Sequence, residues 1–374
     1  MTRYAHITGW GMAVPERVLT NEDLEKIVNT NDGWIIDMTG IRERRIASKT
    51  DTTASLATQA ALRALHGSGV AANEVDLIIV AACSPEHLFP ATASIVQDNL
   101  GASKAGAFDL LAACTGFIFA LNMAAQAVRP GSIDKALVIG SETLSRMVNY
   151  QDRSTAILFG DGAGAFLIEG RDWPGGVLSS VMRSDGSGGE LLSIPAGGSY
   201  MPTTLETVRE NMHYIQMNGR EVFRFATRVM ASATREVIEE AGMRVEDISL
   251  VIPHQANLRI IEAAARGLKL PLDRFVVNIE RYGNTSTASI PIAFCEAWDQ
   301  GRIRIGDNLV LVGFGAGLTW GALAMTLTER ERVQKVDGRK STLLVSRARL
   351  RSIGRRIGRR LDSLVFRTSS KPPD

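Results

Sequence analysis

The chain has 374 residues, 45% of them apolar, with 35 glycines and a formal net charge of +2. Its length predicts two domains or one large duplicated unit, and its composition suits a buried α/β core and excludes a disordered chain. Three cysteines (Cys83, Cys114, Cys295) cannot form a disulfide framework and no CxxC or Cys/His spacing points to a metal, so a reducing cytoplasm is the expected compartment.

In chain order, MTRYAHITGWGMAVPE lacks the apolar run of a secretory signal. TASLATQAALRALHGSG (53–69) has helical periodicity, and VDLIIVAAC (75–83) reads as a buried strand. LLAACTGFIFAL (110–121) is a turn of small residues running into an apolar helix. The apolar stretch 110–128 is interrupted by Thr115, Asn122 and Gln126, which predicts a buried helix and not a membrane span. KALVIGSE (135–142) and AILFGDGAGAFLIE (156–169) follow as strands, then a helix over 220–242, then strands ISLVIPH (248–254) and NLVLVGFGAG (308–317). Short apolar strands alternating with helices predict a largely parallel sheet buried on both faces.

The halves echo each other. In the first, a strand leads through a helix to the Cys114 turn and on to a strand ending in GDGAG; in the second, a strand leads through a helix to RYGNTSTAS and on to GFGAG. Cys114 and Asn284, 170 residues apart, occupy corresponding points of this pattern, which puts both near the middle of the molecule, where open α/β sheets bind ligands. A cysteine in apolar company is commonly an inert core residue. At a helix start, however, unpaired N–H groups and the helix dipole favour the thiolate. His254, closing the strand LVIP, is either a satisfied structural histidine or an imidazole available near neutral pH. Asn284 is either a turn asparagine or an amide in a segment small enough for close substrate approach. The two GxGxG segments match neither GxGxxG nor GK[ST] and are read as tight turns presenting backbone N–H groups.

Four segments in this order and spacing, AACTGF, PHQANLRI, YGNTSTAS and GFGAGLTWG, resemble the β-ketoacyl-acyl carrier protein synthase III family of the thiolase superfamily. The likeness runs from TGWGMAVPERVLTNEDL to about residue 330. It implies an α/β, thiolase-like fold of duplicated halves with central sheets sandwiched by helices: 1–172 carrying the nucleophile, 173–330 carrying His and Asn, and an extra basic tail, 331–374. The implied activity is a decarboxylative Claisen condensation. Cys114 takes an acyl group from a thioester primer, its thiol pKa lowered by the helix start. Backbone N–H groups of Cys114 and Gly315 hold the oxyanion, and His254 and Asn284 donate to the malonyl thioester carbonyl as CO₂ leaves.

By the same resemblance Trp34, Arg153, Gly219, Phe223, Ala256 and Asn257 line a coenzyme A channel. Leu144, Phe159, Leu191, Ile215, Met217 and Phe314 wall the acyl pocket, and Phe89 reaches toward the partner's pocket in a homodimer. Arg224, Arg259 and Arg266 meet the acidic acyl carrier protein. The implied substrates are acyl-CoA and carrier-bound malonyl thioesters; no cofactor, metal or nucleic acid is expected. Met38 stands where the family usually has an arginine that helps hold the nucleotide, which makes a carrier-bound primer more plausible. A related acyltransferase or a non-decarboxylating condensing enzyme, with Glu86 as a candidate acid, is the alternative. A non-catalytic scaffold would be signalled by loss of Cys114, which is present.

The tail differs in character. Residues 331–374 hold 13 Lys/Arg and 4 Asp/Glu, a net of +9, leaving −7 for residues 1–330. Leu350, Ile353, Ile357, Leu361 and Leu364 form one helical stripe among arginines, a pattern suited to an anionic membrane surface or an acidic partner.

Overall fold

The computed structural model describes residues 2–328; the tail expectations for 331–374 lie outside the described residues. Two sheets form the frame. The first runs in the order Tyr4–Ala13, Asp161–Arg171, Lys135–Thr143, Leu77–Ala81, Gly106–Leu110, and the second Leu250–Pro253, Asn308–Gly315, Thr319–Thr326, Gly176–Ser184. Only the pairings among Leu77–Ala81, Gly106–Leu110 and Lys135–Thr143, and between Leu250–Pro253 and Asn308–Gly315, are parallel; the other pairings of the two sheets are antiparallel. The expected largely parallel sheet is therefore a mixed one. The Tyr4–Ala13, Gly106–Leu110, Gly176–Ser184 and Thr319–Thr326 strands carry weaker sequence signals, and three of these four sit in antiparallel pairs.

Strand GDGAGAFLIE begins, rather than ends, with its glycine segment: Asp161–Arg171 is the strand and Arg153–Ala156 a helical turn. Buried Asp161 explains the boundary. Its carboxylate accepts from Ala47 N at 2.7 Å and from Ser145 N at 2.8 Å, anchoring the strand's first residue in place of a continued strand.

The duplication is real but its register differs from the motif-based pairing. Leu77 and Leu250, Lys135 and Asn308, and Ala113 and Ser286 are each 173 residues apart at matching points of the two halves. Cys114 therefore corresponds to Thr287, and Asn284 lies three residues before the symmetric position.

Helices Gly116–Val128 and Ser289–Asp299 lie between the sheets in one core that includes Ile79, Val138, Phe166, Ile252, Leu311 and Leu323. Edge-on rings tie this layer together, Phe117 to Phe166 at 5.1 Å and Phe166 to Phe294 at 4.8 Å. Thr53–Ser68 covers the outer face of the first sheet, and Gly219–Glu240 with Leu258–Leu268 covers that of the second. On Gly219–Glu240 the stripe Val222, Phe225, Ala226, Val229, Met230, Ala233 and Val237 is buried. Each large side chain in it contributes about 1.5–3 kcal/mol on burial, and the stripe turns Arg224 and Arg228 outward.

Candidate active site

Cys114 sits in the 3-10 turn Ala113–Thr115 that feeds helix Gly116–Val128. Two features fix the turn. Ala113 is held in the left-handed region at φ 46°, and Thr115 Oγ1 donates to Ala112 O at 2.5 Å and lies 2.8 Å from Thr319 Oγ1. The end of the neighbouring strand presses directly on it: a Cβ at Gly315 would lie 2.7 Å from Cys114 N. Only glycine permits that approach, so the two backbones expected to form the oxyanion hole lie side by side.

The Cys114 thiol is not the depressed one that a helix start predicts. Burial pushes it up to about 12; a hydrogen bond to the Ser286 hydroxyl opposes the rise and the charge of Glu142 adds to it. The sulfur loses more by leaving water than it gains from the hydrogen bonds around it. At neutral pH the nucleophile is a thiol that must hand its proton to a base.

His254 follows Leu250–Pro253, fixed by its N–H to Val312 O at 2.8 Å. Nδ1 lies 2.6 Å from Ser289 Oγ. Ser289 has one hydroxyl proton and donates it to Ser286 O at 2.8 Å, so Nδ1–H donates to Ser289 and Nε2 keeps its lone pair. Nε2 is buried with no partner, and burial lowers the ring's pKa to about 3. The imidazole at rest is therefore neutral and an acceptor at Nε2, which corrects the expectation that it is a ready donor.

Asn284 bridges the halves through its backbone, donating to Leu158 O at 2.8 Å and accepting from Gly160 N at 3.0 Å. Its Oδ1 accepts from Ser286 N at 2.8 Å. That leaves the amide NH₂, which has no partner among the described residues, as the free donor.

Behind these groups lies Glu142, fully buried. It accepts from Cys83 N and Ser84 N at 3.0 Å, Ser84 Oγ at 2.5 Å and Thr287 Oγ1 at 2.9 Å. It ties the turn after Leu77–Ala81 to the turn that follows Asn284. Glu142, Ser286 and Ser289 stand inside the segments KALVIGSE and YGNTSTAS, yet nothing in their spacing marks them, because their partners come from 35 to 203 residues away or from local turn geometry.

A cavity of about 760 Å³ opens onto Cys114 and Ser286. Of the expected wall residues, Leu144, Phe159 and Ile215 line it. Leu191, Met217 and Phe314 do not: Phe314 packs edge-on against His254 at 5.4 Å, and Leu191 and Met217 join the core beneath. Phe89, expected to reach toward a partner's pocket, does not line this one and is 87% exposed, while its neighbour Leu88 lines the opening. Cys83, Met147, Leu192, Ile194 and His213 line it without having been singled out.

None of the expected channel residues lines this cavity. Arg153 lies over the Trp34 ring at 4.6 Å and Arg259 over Phe223 at 5.6 Å. Asn257 caps helix Leu258–Leu268 and donates Nδ2–H to Met38 O at 2.8 Å, and Arg259 Nη1 lies 3.9 Å from Met38 Sδ. Arg259 thus supplies a cation beside the position where the family arginine is missing. Ala256 is half-buried next to Asn257, and Gly219 opens its helix exposed to solvent. Arg224 and Arg266 are exposed on neighbouring helices, in ion pairs with Glu221 at 3.0 Å and Glu262 at 4.0 Å. Among the described residues no cluster of three metal-ligating side chains occurs, and no helix is long and apolar enough to cross a membrane.

Residues 108–186 match the family described as 3-oxoacyl-[acyl-carrier-protein (ACP)] synthase III, and residues 238–327 match its C-terminal part. The chain is 54% identical over 319 residues to the β-ketoacyl-[acyl-carrier-protein] synthase III of Symbiobacterium thermophilum, covering 85% of this chain and 97% of that one. The crystal structure of the 3-oxoacyl-[acyl-carrier-protein] synthase III of Aquifex aeolicus superposes with a TM-score of 0.80 at 46% identity, over 86% of this chain and 99% of that one. The priming β-ketosynthase of the R1128 polyketide pathway superposes at 0.81 with 35% identity, over 88% and 98%. With this thiolase-like fold and this likeness along both halves, the chain belongs to the β-ketoacyl-[acyl-carrier-protein] synthase III family of acyl-transferring condensing enzymes.

Proposed function

We propose that the protein starts acyl-chain synthesis by condensing an acyl thioester primer with a malonyl thioester, with Cys114, His254 and Asn284 as its reacting groups. One observation carries this residue assignment: His254, whose Nε2 is buried without a partner, and Asn284 are joined by hydrogen bonds through Ser289 and Ser286, and Ser286 lines the same apolar cavity as Cys114. The N-terminal half, 1–172, supplies the nucleophile and the C-terminal half, 173–330, the other two groups.

His254 Nε2 takes the Cys114 proton as sulfur attacks the primer carbonyl, and the N–H groups of Cys114 and Gly315 receive the oxyanion. The departing thiolate takes a proton from solvent. The imidazolium and the Asn284 amide then donate to the malonyl carbonyl oxygen, stabilising the enolate left as CO₂ departs. The enolate carbon attacks acyl-Cys114, the C–S bond breaks, and the released sulfur recovers its proton from His254. No metal or organic cofactor enters these steps; coenzyme A and carrier thioesters are substrates.

The stacked pairs Arg153 over Trp34 and Arg259 over Phe223 suit a nucleotide or a phosphopantetheine arm, and outward Arg224, Arg259 and Arg266 suit an acidic carrier protein. A homodimer is favoured by the uncovered edge strand Gly106–Leu110 and by Leu88, Phe89 and Leu111, at least 78% exposed around the cavity mouth. Cytoplasmic residence is supported by the three free cysteines. The basic tail is proposed, on its sequence alone, to contact an anionic surface.

The test is intact-protein mass spectrometry after incubation with acyl-CoA and acyl-carrier thioesters. A primer mass on the wild-type chain, absent in Cys114→Ala, is expected; an adduct persisting on the mutant overturns the assignment.

A further inference from the structure

Helix Ser289–Asp299 reaches the segments of both His254 and Asn284 from one face. Ser289, its first residue, sets its hydroxyl 2.6 Å from His254 Nδ1. Glu296 is seven residues on, two turns along the same face. This buried carboxylate has three donors: Oε2 accepts from Asn278 Nδ2 at 2.9 Å, and Oε1 from Tyr282 OH at 3.2 Å and from Arg281 Nη1. Asn278 precedes the helical turn Ile279–Tyr282, and Arg281 and Tyr282 close it. Both ends of the turn are therefore tied to one carboxylate, and the turn leads through Gly283 into Asn284.

The turn has little slack. A Cβ at Gly160 would stand 2.2 Å from Tyr282 O, so the turn lies directly on the segment whose Leu158 O and Gly160 N hold the Asn284 backbone. Gln255, buried and next to His254, closes the other side: Nε2 donates to Pro253 O at 2.8 Å and to Val276 O at 3.0 Å, and Oε1 accepts from Asn278 N at 3.0 Å. Ser286 N fixes how the Asn284 amide is turned; where its backbone enters the site is set by the turn. His254 is held independently, by Val312 O and Ser289.

We propose that Glu296 is a positioning residue for Asn284: its carboxylate, bonded to Asn278, Arg281 and Tyr282, fixes the turn that sets the Asn284 amide at the malonyl carbonyl. Glu296 exchanges no proton in the reaction and acts only through Asn284.

This rests on Asn284 donating to the malonyl carbonyl, and the experiment separates the two ideas. Self-acylation from acyl-CoA and CO₂ release from labelled malonyl-CoA are measured in wild type, Glu296→Gln, Asn284→Ala and the double variant, each with a melting curve. The amide of Glu296→Gln offers one acceptor oxygen to three donors and sets its own NH₂ against one of them. CO₂ release is expected to fall by roughly tenfold, the worth of one hydrogen bond to a charged group, and self-acylation by much less. In the double variant CO₂ release should stay within about twofold of Asn284→Ala alone, because effects that pass through one group do not add. A carboxylate that only stabilises the fold would lower both steps alike and compound the loss in Asn284→Ala. Either result overturns the proposal, as does wild-type CO₂ release by Glu296→Gln. If Glu296→Gln fails to melt cooperatively, Tyr282→Phe decides, since it removes one donor and keeps the ring. A selective fall in CO₂ release that disappears in the Asn284→Ala background supports the proposal; an unchanged or unselective rate overturns it. Wild-type CO₂ release by Asn284→Ala overturns the role of Asn284 and this proposal with it.

Discussion

Gly315→Ala adds one methyl group at the point where two backbones meet. Its Cβ would stand 2.7 Å from Cys114 N, 3.2 Å from Ala113 Cβ and 3.3 Å from Cys114 Cα. Non-bonded heavy atoms settle at about 3.5–4.0 Å, so the Cys114 turn must withdraw by roughly 1 Å. It has little freedom to do so, tied by Thr115 to Ala112 and Thr319. Overpacking of this kind costs about 1–3 kcal/mol of stability, and misplacing one oxyanion donor lowers the rate by about 10²–10³-fold. Single-turnover acylation followed by mass, with a melting curve on the same samples, separates the two effects. Gly313→Ala is the internal control: two residues earlier on the same strand, its nearest contacts, His254 Cβ and Ile118 Cδ1, are at an ordinary 3.4 Å. Acylation by folded Gly315→Ala at the rate of Gly313→Ala would refute the oxyanion role.

Asn284→Ala should lower CO₂ release from labelled malonyl thioester much more than self-acylation, whereas His254→Ala should lower both; wild-type decarboxylation in either variant contradicts the shared-donor role. His254 titrates near 6.5 in the unfolded chain and about 3 in the fold, so its contribution is present above pH 6.5 and is lost as pH falls toward 3, by on the order of several kcal/mol. His6, also lowered by burial, acts in the same direction. The melting temperature should therefore fall less steeply below pH 6.5 in His254→Asn than in wild type, and parallel curves would refute it. Cys114 should alkylate faster than Cys295, whose thiol burial pushes higher still; equal rates would remove the case for a distinct nucleophile. Truncation after Arg330 should leave condensation with malonyl-CoA unchanged and weaken binding to anionic vesicles or to carrier protein, most at low salt. Unchanged binding to both would remove the tail's proposed role.

The sequence by itself determined which residue types meet. Cys114, His254 and Asn284 sit in short segments whose composition, a small-residue turn before an apolar helix and a polar residue closing an apolar strand, is a local signal. Alternating apolar runs likewise located the helices Thr53–Ser68 and Gly219–Glu240 and the strands Leu77–Ala81, Lys135–Thr143, Leu250–Pro253 and Asn308–Gly315 to within two residues at their ends, whereas Asp161–Arg171 starts five residues later than its apolar run. What tertiary structure decided was electrostatic and directional. The Cys114 thiol is raised because burial outweighs the hydrogen bonds that oppose it, and the His254 tautomer follows from where Ser289 sends its one proton. Pairing direction, which made the sheets mixed, depends on contacts made across long stretches of chain. So does the split of the expected pocket residues, since whether Leu144 lines a cavity while Phe314 packs on a histidine depends on which layer each side chain faces. Periodicity encodes which faces are buried; it does not encode what buries them, and solvation, proton direction and cavity shape belong to the burying partner.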